Sequence, residues 1–172
     1  MKFSIAIVAT ALIAGVTADF ATVNTDVQTI QSDVAKLYQA LNTTSGNSYS
    51  EALAIDKIAK TLVTDINTAN KDAGALTALT EAQAKSLVSI LNKTYANVSG
   101  ASQRLIDLEP PFKKLGVVGI AKTDIGNLAN STKTFGATLV EKAPEASKAK
   151  ASALADKYNN ALASGVAAYA SD

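Results

Sequence analysis

The residues that most often carry chemistry are scarce in this chain of 172 residues, which has no histidine, no cysteine and no tryptophan. Zinc sites built on imidazole or thiolate are therefore excluded. So are Ser-His and Cys-His nucleophilic pairs. Carboxylates, lysines and tyrosines remain. Asp107 and Glu109 are close in sequence, but a spacing of two on a helix turns the groups apart. No Asp/Asn-Gly loop is present to hold a hard cation, so both read as surface charges. Arg104 is the only arginine, and Lys113 and Lys114 follow it. These three could meet an anionic headgroup, although isolated surface cations are more often simply solvated. The inventory points to no catalytic residue, no metal and no cofactor: a binding protein and not an enzyme.

Four sequons supply the other chemistry. Asn42-Thr43-Thr44, Asn92-Lys93-Thr94, Asn97-Val98-Ser99 and Asn130-Ser131-Thr132 fit the N-glycosylation pattern. Asn42 is the first choice, because it falls in a polar run read as a loop.

The sequons matter only if the chain is exported, and its first residues read that way. Lys2 is the positive n-region, Phe3 to Ile13 the apolar stretch, and Val16-Thr17-Ala18 the small-x-small cleavage pattern. Residues 1–18 are expected to be a signal peptide, leaving 19–172 as one domain. Losing Lys2 takes the basic residues from 16 to 15, level with the 15 acidic ones. A neutral, mixed surface creates no field for nucleic acid or anionic membrane. No later segment is apolar enough to span a membrane, so a secreted product is expected, free or associated with a cell wall.

What would position such residues is a set of helices. Apolar residues recur at spacings of three and four almost throughout, and no stretch alternates like a strand. The first stripe is Val23, Val27, Ile30, Val34, Leu37 and Leu41, ended by the polar run from Asn42 to Ser48. Ser48 and Glu51 form a capping-box pattern before the second stripe, Ile55, Ile58, Leu62, Ile66 and Ala69; Thr80 and Gln83 form another before the third, Leu87 to Leu108. Pro110-Pro111 is expected to break the third helix. Phe112 to Gly119 then reads as a turn-like connector, either a lid or a plug for one end. A fourth helix carries Ile125, Leu128, Phe135 and Leu139. A helical C-terminal segment, with Pro144 in its first turn, carries Leu154, Tyr158 and Leu162. The fold class is all-α: an antiparallel bundle of four to five helices, since short connections favour antiparallel neighbours.

Without disulfides the bundle holds by packing alone. Its stripes mix large residues with many alanines, glycines and threonines. That composition suits either a solid core of closely approaching helices or a core with room for a ligand. For the second case the candidate lining is Val34, Leu37, Leu62, Ile66, Leu91, Val98, Phe112, Leu115, Ile120, Leu128, Phe135, Leu139, Tyr158 and Leu162.

The run Phe112-Lys113-Lys114-Leu115-Gly116-Val117-Val118-Gly119-Ile120, then Asp124, Leu128 and Phe135-Gly136-Ala137-Thr138-Leu139, with Ala143-Pro144 and Gly165 to Ala170, resembles the fungal hydrophobic surface-binding protein A family, also described as cell-wall galactomannoproteins. The resemblance extends to Asp26-Val27-x-x-Ile30-x-x-Asp33-Val34 and Ala52 to Ile55, and so across the whole chain beyond the signal. It implies a secreted bundle that adsorbs to hydrophobic surfaces, with a secreted polyester hydrolase as a partner recruited there. Related antigens hold fatty acids among their helices, which makes fatty acids or hydrophobic surfaces the expected partners. The alternative is a structural wall mannoprotein whose glycans carry the function. Anchored members have a Ser/Thr-rich stalk, and this chain does not.

Overall fold

A computed structural model describes residues 19–171; the proposed signal peptide lies outside the described residues. Asp19 starts the first helix by accepting the amide of Thr22 at 2.8 Å, which satisfies one of the free donors at a helix start. This helix, α1, runs Phe20–Thr43. Ser48 caps the second, α2 (Tyr49–Ala75), by accepting from the Glu51 amide. Only half of the expected box forms there, because the Glu51 carboxylate instead accepts the Thr44 hydroxyl at 2.6 Å. That contact ties the start of α2 back to the end of α1. Thr80 and Gln83 make the full reciprocal box at the start of α3 (Glu81–Leu115). Then follow α4 (Val118–Lys142) and α5 (Glu145–Ala168).

Several expectations about boundaries are corrected. Pro110 and Pro111 do not end α3, which runs through both. Leu108 and Phe112, buried in the core, anchor the chain on either side. Pro111 leans on the α1–α2 turn, where a Cβ at Gly46 would come within 2.9 Å of it. The cost of two missing helical amides is offset by that packing. The real stop is Gly116, whose left-handed φ of 80° suits only glycine well, and the Val117 amide closes the turn on the Phe112 carbonyl at 3.0 Å. The connector therefore shrinks to Gly116 and Val117, and Phe112 is a buried plug and not a lid. Asn42 lies in the last turn of α1 rather than in a loop, because Leu41 still has core to cover. Pro144 stands just before α5 as its N-cap, and α5 is a full helix of 24 residues.

The helices form a closed ring in the order α1, α2, α4, α5, α3 and back to α1. Consecutive helices alternate in direction, as short connections require. A ring with an odd number of members cannot alternate all the way round, so some neighbours run parallel. Asn70 reaches Thr138 and Asp56 reaches Asp124, both 68 positions on, which makes α2 and α4 parallel. The pairs Glu81–Ser147, Leu91–Tyr158 and Ser102–Ala161 ascend together, which makes α3 and α5 parallel too.

Candidate ligand-binding cavity

Ring packing of this kind leaves a hollow. Helix axes about 8–10 Å apart at the corners of a pentagon stand about 7–9 Å from its centre. Each helix with its side chains fills about 5–6 Å of that, so about 2–3 Å of radius remains unless large residues fill it. Here the inward positions include Ala84, Ala101, Gly136, Ala151 and Ala155, which do not.

The result is a cavity of about 120 Å³ lined by all five helices. Along α3 its wall runs from Ala84 to Leu105, a span of about 30 Å at about 1.5 Å per residue. Its lining is apolar apart from Ser102, Thr132 and Tyr158. Two of these are spent on backbone: Ser102 Oγ donates to the Ala161 carbonyl at 2.5 Å, and Tyr158 Oη to the Leu91 carbonyl at 2.8 Å. Burial pushes the Tyr158 phenol well above its ordinary range, so it stays a neutral donor. A lining of this kind favours a hydrophobic guest, as an engineered apolar cavity of about 150 Å³ does when it accepts benzene.

Of the candidate lining residues, Val34, Leu37, Leu62, Ile66, Leu91, Val98, Leu128, Phe135, Leu139, Tyr158 and Leu162 stand on this cavity. Phe112 and Ile120 stand instead on a smaller neighbouring chamber of about 40 Å³, which Leu128 also lines. Leu115 lines neither, because α3 has carried it past the end of the hollow, where it packs half-buried on the core. Sequence reading missed Leu79 and Ala143 at one end, and the small residues along α3 and α5 that make the space. Alanine on an inward stripe was the available signal, and it does not distinguish close approach from emptiness.

The headgroup candidates fare differently. Arg104 is turned away from the hollow: its Nε donates to the Leu41 carbonyl at 3.0 Å and its Nη2 to the Thr44 carbonyl at 2.8 Å. It closes the C-terminus of α1, where a cation suits the helix dipole. Lys113 and Lys114 are exposed on the last turn of α3, Lys113 beside Glu109 at 3.8 Å. Of the sequon asparagines, Asn42, Asn92 and Asn130 are exposed and Asn97 is half-buried.

The titratable groups to which sequence reading gave no site role are aspartates. Asp56 on α2 and Asp124 on α4 place their carboxyls within hydrogen-bond reach, and burial with the Asp56 charge pushes Asp124 up to about 7. Lys60 holds Asp56 at 2.8 Å. Both aspartates line the smaller chamber.

The chain matches the family described as hydrophobic surface binding protein A over residues 20–141, which spans α1 to α4 and stops short of α5. No curated protein matches it. Among solved structures it is similar to the crystal structure of AfMP4p in complex with palmitic acid, at 25% identity and a TM-score of 0.83, covering 88% of this chain and 99% of that one. It is also similar to ligand binding domain 1 of the Penicillium marneffei MP1 protein complexed with arachidonic acids, at 16% identity and a TM-score of 0.81, covering 88% and 99%. Domain 2 of that protein, complexed with multiple arachidonic acids, aligns at 19% identity and a TM-score of 0.80, covering 91% and 99%.

Proposed function

Because the chain belongs to the hydrophobic surface binding protein A family, we propose that it binds hydrophobic matter in two forms, single fatty acid chains inside the ring and extended apolar surfaces through its opened helices. The observation that carries this reading is the central cavity, apolar along about 30 Å of α3. Palmitic acid bound in the similar AfMP4p supports a saturated fatty acid as the guest. A dozen methylenes contribute about 10 kcal/mol on burial, against an association cost of about 4–15 kcal/mol. The gain grows with each methylene while the association cost does not, so long chains are held more tightly than short ones. The carboxylate is best placed at an end of the hollow, since the hydroxyls of Ser102 and Tyr158 are engaged.

Adsorption uses the same residues differently. No cysteine cross-links the helices, so contacts between helices can be exchanged for contacts with a surface of similar polarity. Tyr49 and Leu53, one turn apart and exposed on α2, give the first foothold. A layer adsorbed in this way is where a secreted polyester hydrolase would be recruited. In this reading the protein is exported by its first 18 residues and acts without an activity of its own. No helix among the described residues is long and apolar enough to cross a membrane.

Native mass spectrometry of delipidated protein mixed with palmitate, beside depletion by hydrophobic beads, tests both forms. A bound mass of one fatty acid, with loss of protein to the beads, is expected. Failure of both defeats the reading. A wall glycoprotein role draws on the exposed Asn42, Asn92 and Asn130; heavy glycosylation with no lipid uptake would favour it instead.

A further inference from the structure

Helix α2 is held in place differently from its neighbours. The end of α5 and α3 are tied by hydroxyl-to-carbonyl bonds at Ser102, Tyr158 and Tyr169. Arg104 ties α3 to the end of α1. Beyond the Thr44–Glu51 bond at its start, both edges of α2, by contrast, set carboxyl against carboxyl. Toward α1, Asp65 meets Asp33, and Asp72 meets Asp26 seven positions along each helix. Toward α4, Asp56 meets Asp124, with one neutral bond on the same seam, from the Thr138 hydroxyl to Asn70 at 2.7 Å.

The Asp56–Asp124 pair also has a particular place. It lines the chamber of about 40 Å³ whose walls come from α1, α2, α3, α4 and the Val117 connector. Five of those wall residues, Leu37, Leu41, Leu105, Ile125 and Leu128, also line the central cavity. Outward of the pair stands Lys60, its side chain 66% exposed. The chamber thus lies between the seam of α2 with α4 and the hollow, and shares a wall with the latter.

We infer that this seam is the portal by which a hydrophobic guest reaches the central cavity, and that a proton held on Asp124 where it faces Asp56 latches it. The inference rests on the proposed binding role of that cavity. Two carboxyls in contact attract when one carries a proton and repel when neither does. The charged groups acting on Asp124 are Asp56 and Lys60, both from α2. Burial first, and then the Asp56 charge, keep it protonated up to about pH 7, while Lys60 pulls the other way. On the other edge, burial raises Asp65, which Asp33 and Asp26 reinforce and Lys36 opposes, and burial with Asp72 raises Asp26. Both edges of α2 therefore loosen in the same direction. The latch is closed in acid and opens as pH rises through neutrality.

Stopped-flow uptake of N-phenyl-1-naphthylamine, a dye uncharged between pH 5.5 and 8.5, reads the portal without titrating the guest. The uptake rate of the wild-type protein should rise about fivefold or more over that range, with its midpoint near 7. Asp124→Asn, which keeps a neutral partner for Asp56, should flatten the profile, and Lys60→Met should move the midpoint upward. A flat wild-type profile, or an unchanged slope in Asp124→Asn, overturns the latch. Bridging Asp56→Cys and Asp124→Cys with a short bismaleimide should stall uptake; unimpeded uptake overturns the portal. Equilibrium uptake separates the two levels of the claim. Normal capacity with a flat rate removes the latch alone, whereas no dye bound at any pH removes the binding role and the portal with it.

Discussion

The phenol of Tyr158 on α5 donates to the carbonyl of Leu91 on α3 at 2.8 Å, and both residues line the central cavity. The bond lets a polar side chain face an apolar hollow without presenting a free donor to it. Tyr158→Phe removes the hydroxyl and keeps the ring. It should lower stability by about 1 kcal/mol, read by chemical denaturation, and leave palmitate affinity within about twofold.

Filling the hollow should separate binding from folding. Ala101 lines it on α3, between Val98 and Leu105. Ala101→Leu should weaken palmitate binding by about tenfold or more, equivalent to about 1.4 kcal/mol. The unfolding temperature should hold or rise, because added methylenes occupy empty space. Calorimetric titration beside thermal unfolding checks both halves; full affinity in a folded variant would place the guest elsewhere.

Arg104 should be a stability residue. Its two bonds to the Leu41 and Thr44 carbonyls assign it to the end of α1. Arg104→Met should cost about 1.5–3 kcal/mol in denaturant unfolding, with affinity for palmitate unchanged. Loss of affinity in a stable variant would return it to the role of a headgroup contact.

Stability should fall as pH rises from acid to neutral. Asp124 has a folded value of about 7 against an ordinary 3.8, and Asp26 and Asp65 are raised in the same direction. The folded protein thus holds more protons than the unfolded chain between those values, and linkage makes stability decrease with pH across that window. With solvent screening at a half-exposed site, Asp124 accounts for about 1–2 kcal/mol between pH 5 and 8. Urea unfolding at several pH values should show this slope, and Asp124→Asn should remove most of it.

The helices were legible because their signals are local. Thr80 with Gln83, and the stripe from Val23 to Leu41, need nothing from the rest of the chain. The end of α3 was not legible, since what carries it through Pro110 and Pro111 is distant: the turn at Gly46 and the core around Phe112. The lining was found where large residues mark it, as at Phe135 and Leu162. It was missed where emptiness is made by alanine, because space has no residue type of its own. The aspartate pairs were invisible for another reason. Asp56 and Asp124 are 68 positions apart, and only the ring order makes them neighbours.

The number of helices in the ring has a consequence for how freely such sequences can drift. A four-membered ring with the same helix spacing would bring each axis to about 6–7 Å from the centre and leave almost no bore. The fifth member opens it wherever enough of the inward side chains are small. Capacity for a guest is then inherited with the topology rather than with any one contact residue. An identity of only 25% to AfMP4p, at a TM-score of 0.83, is compatible with keeping the bore.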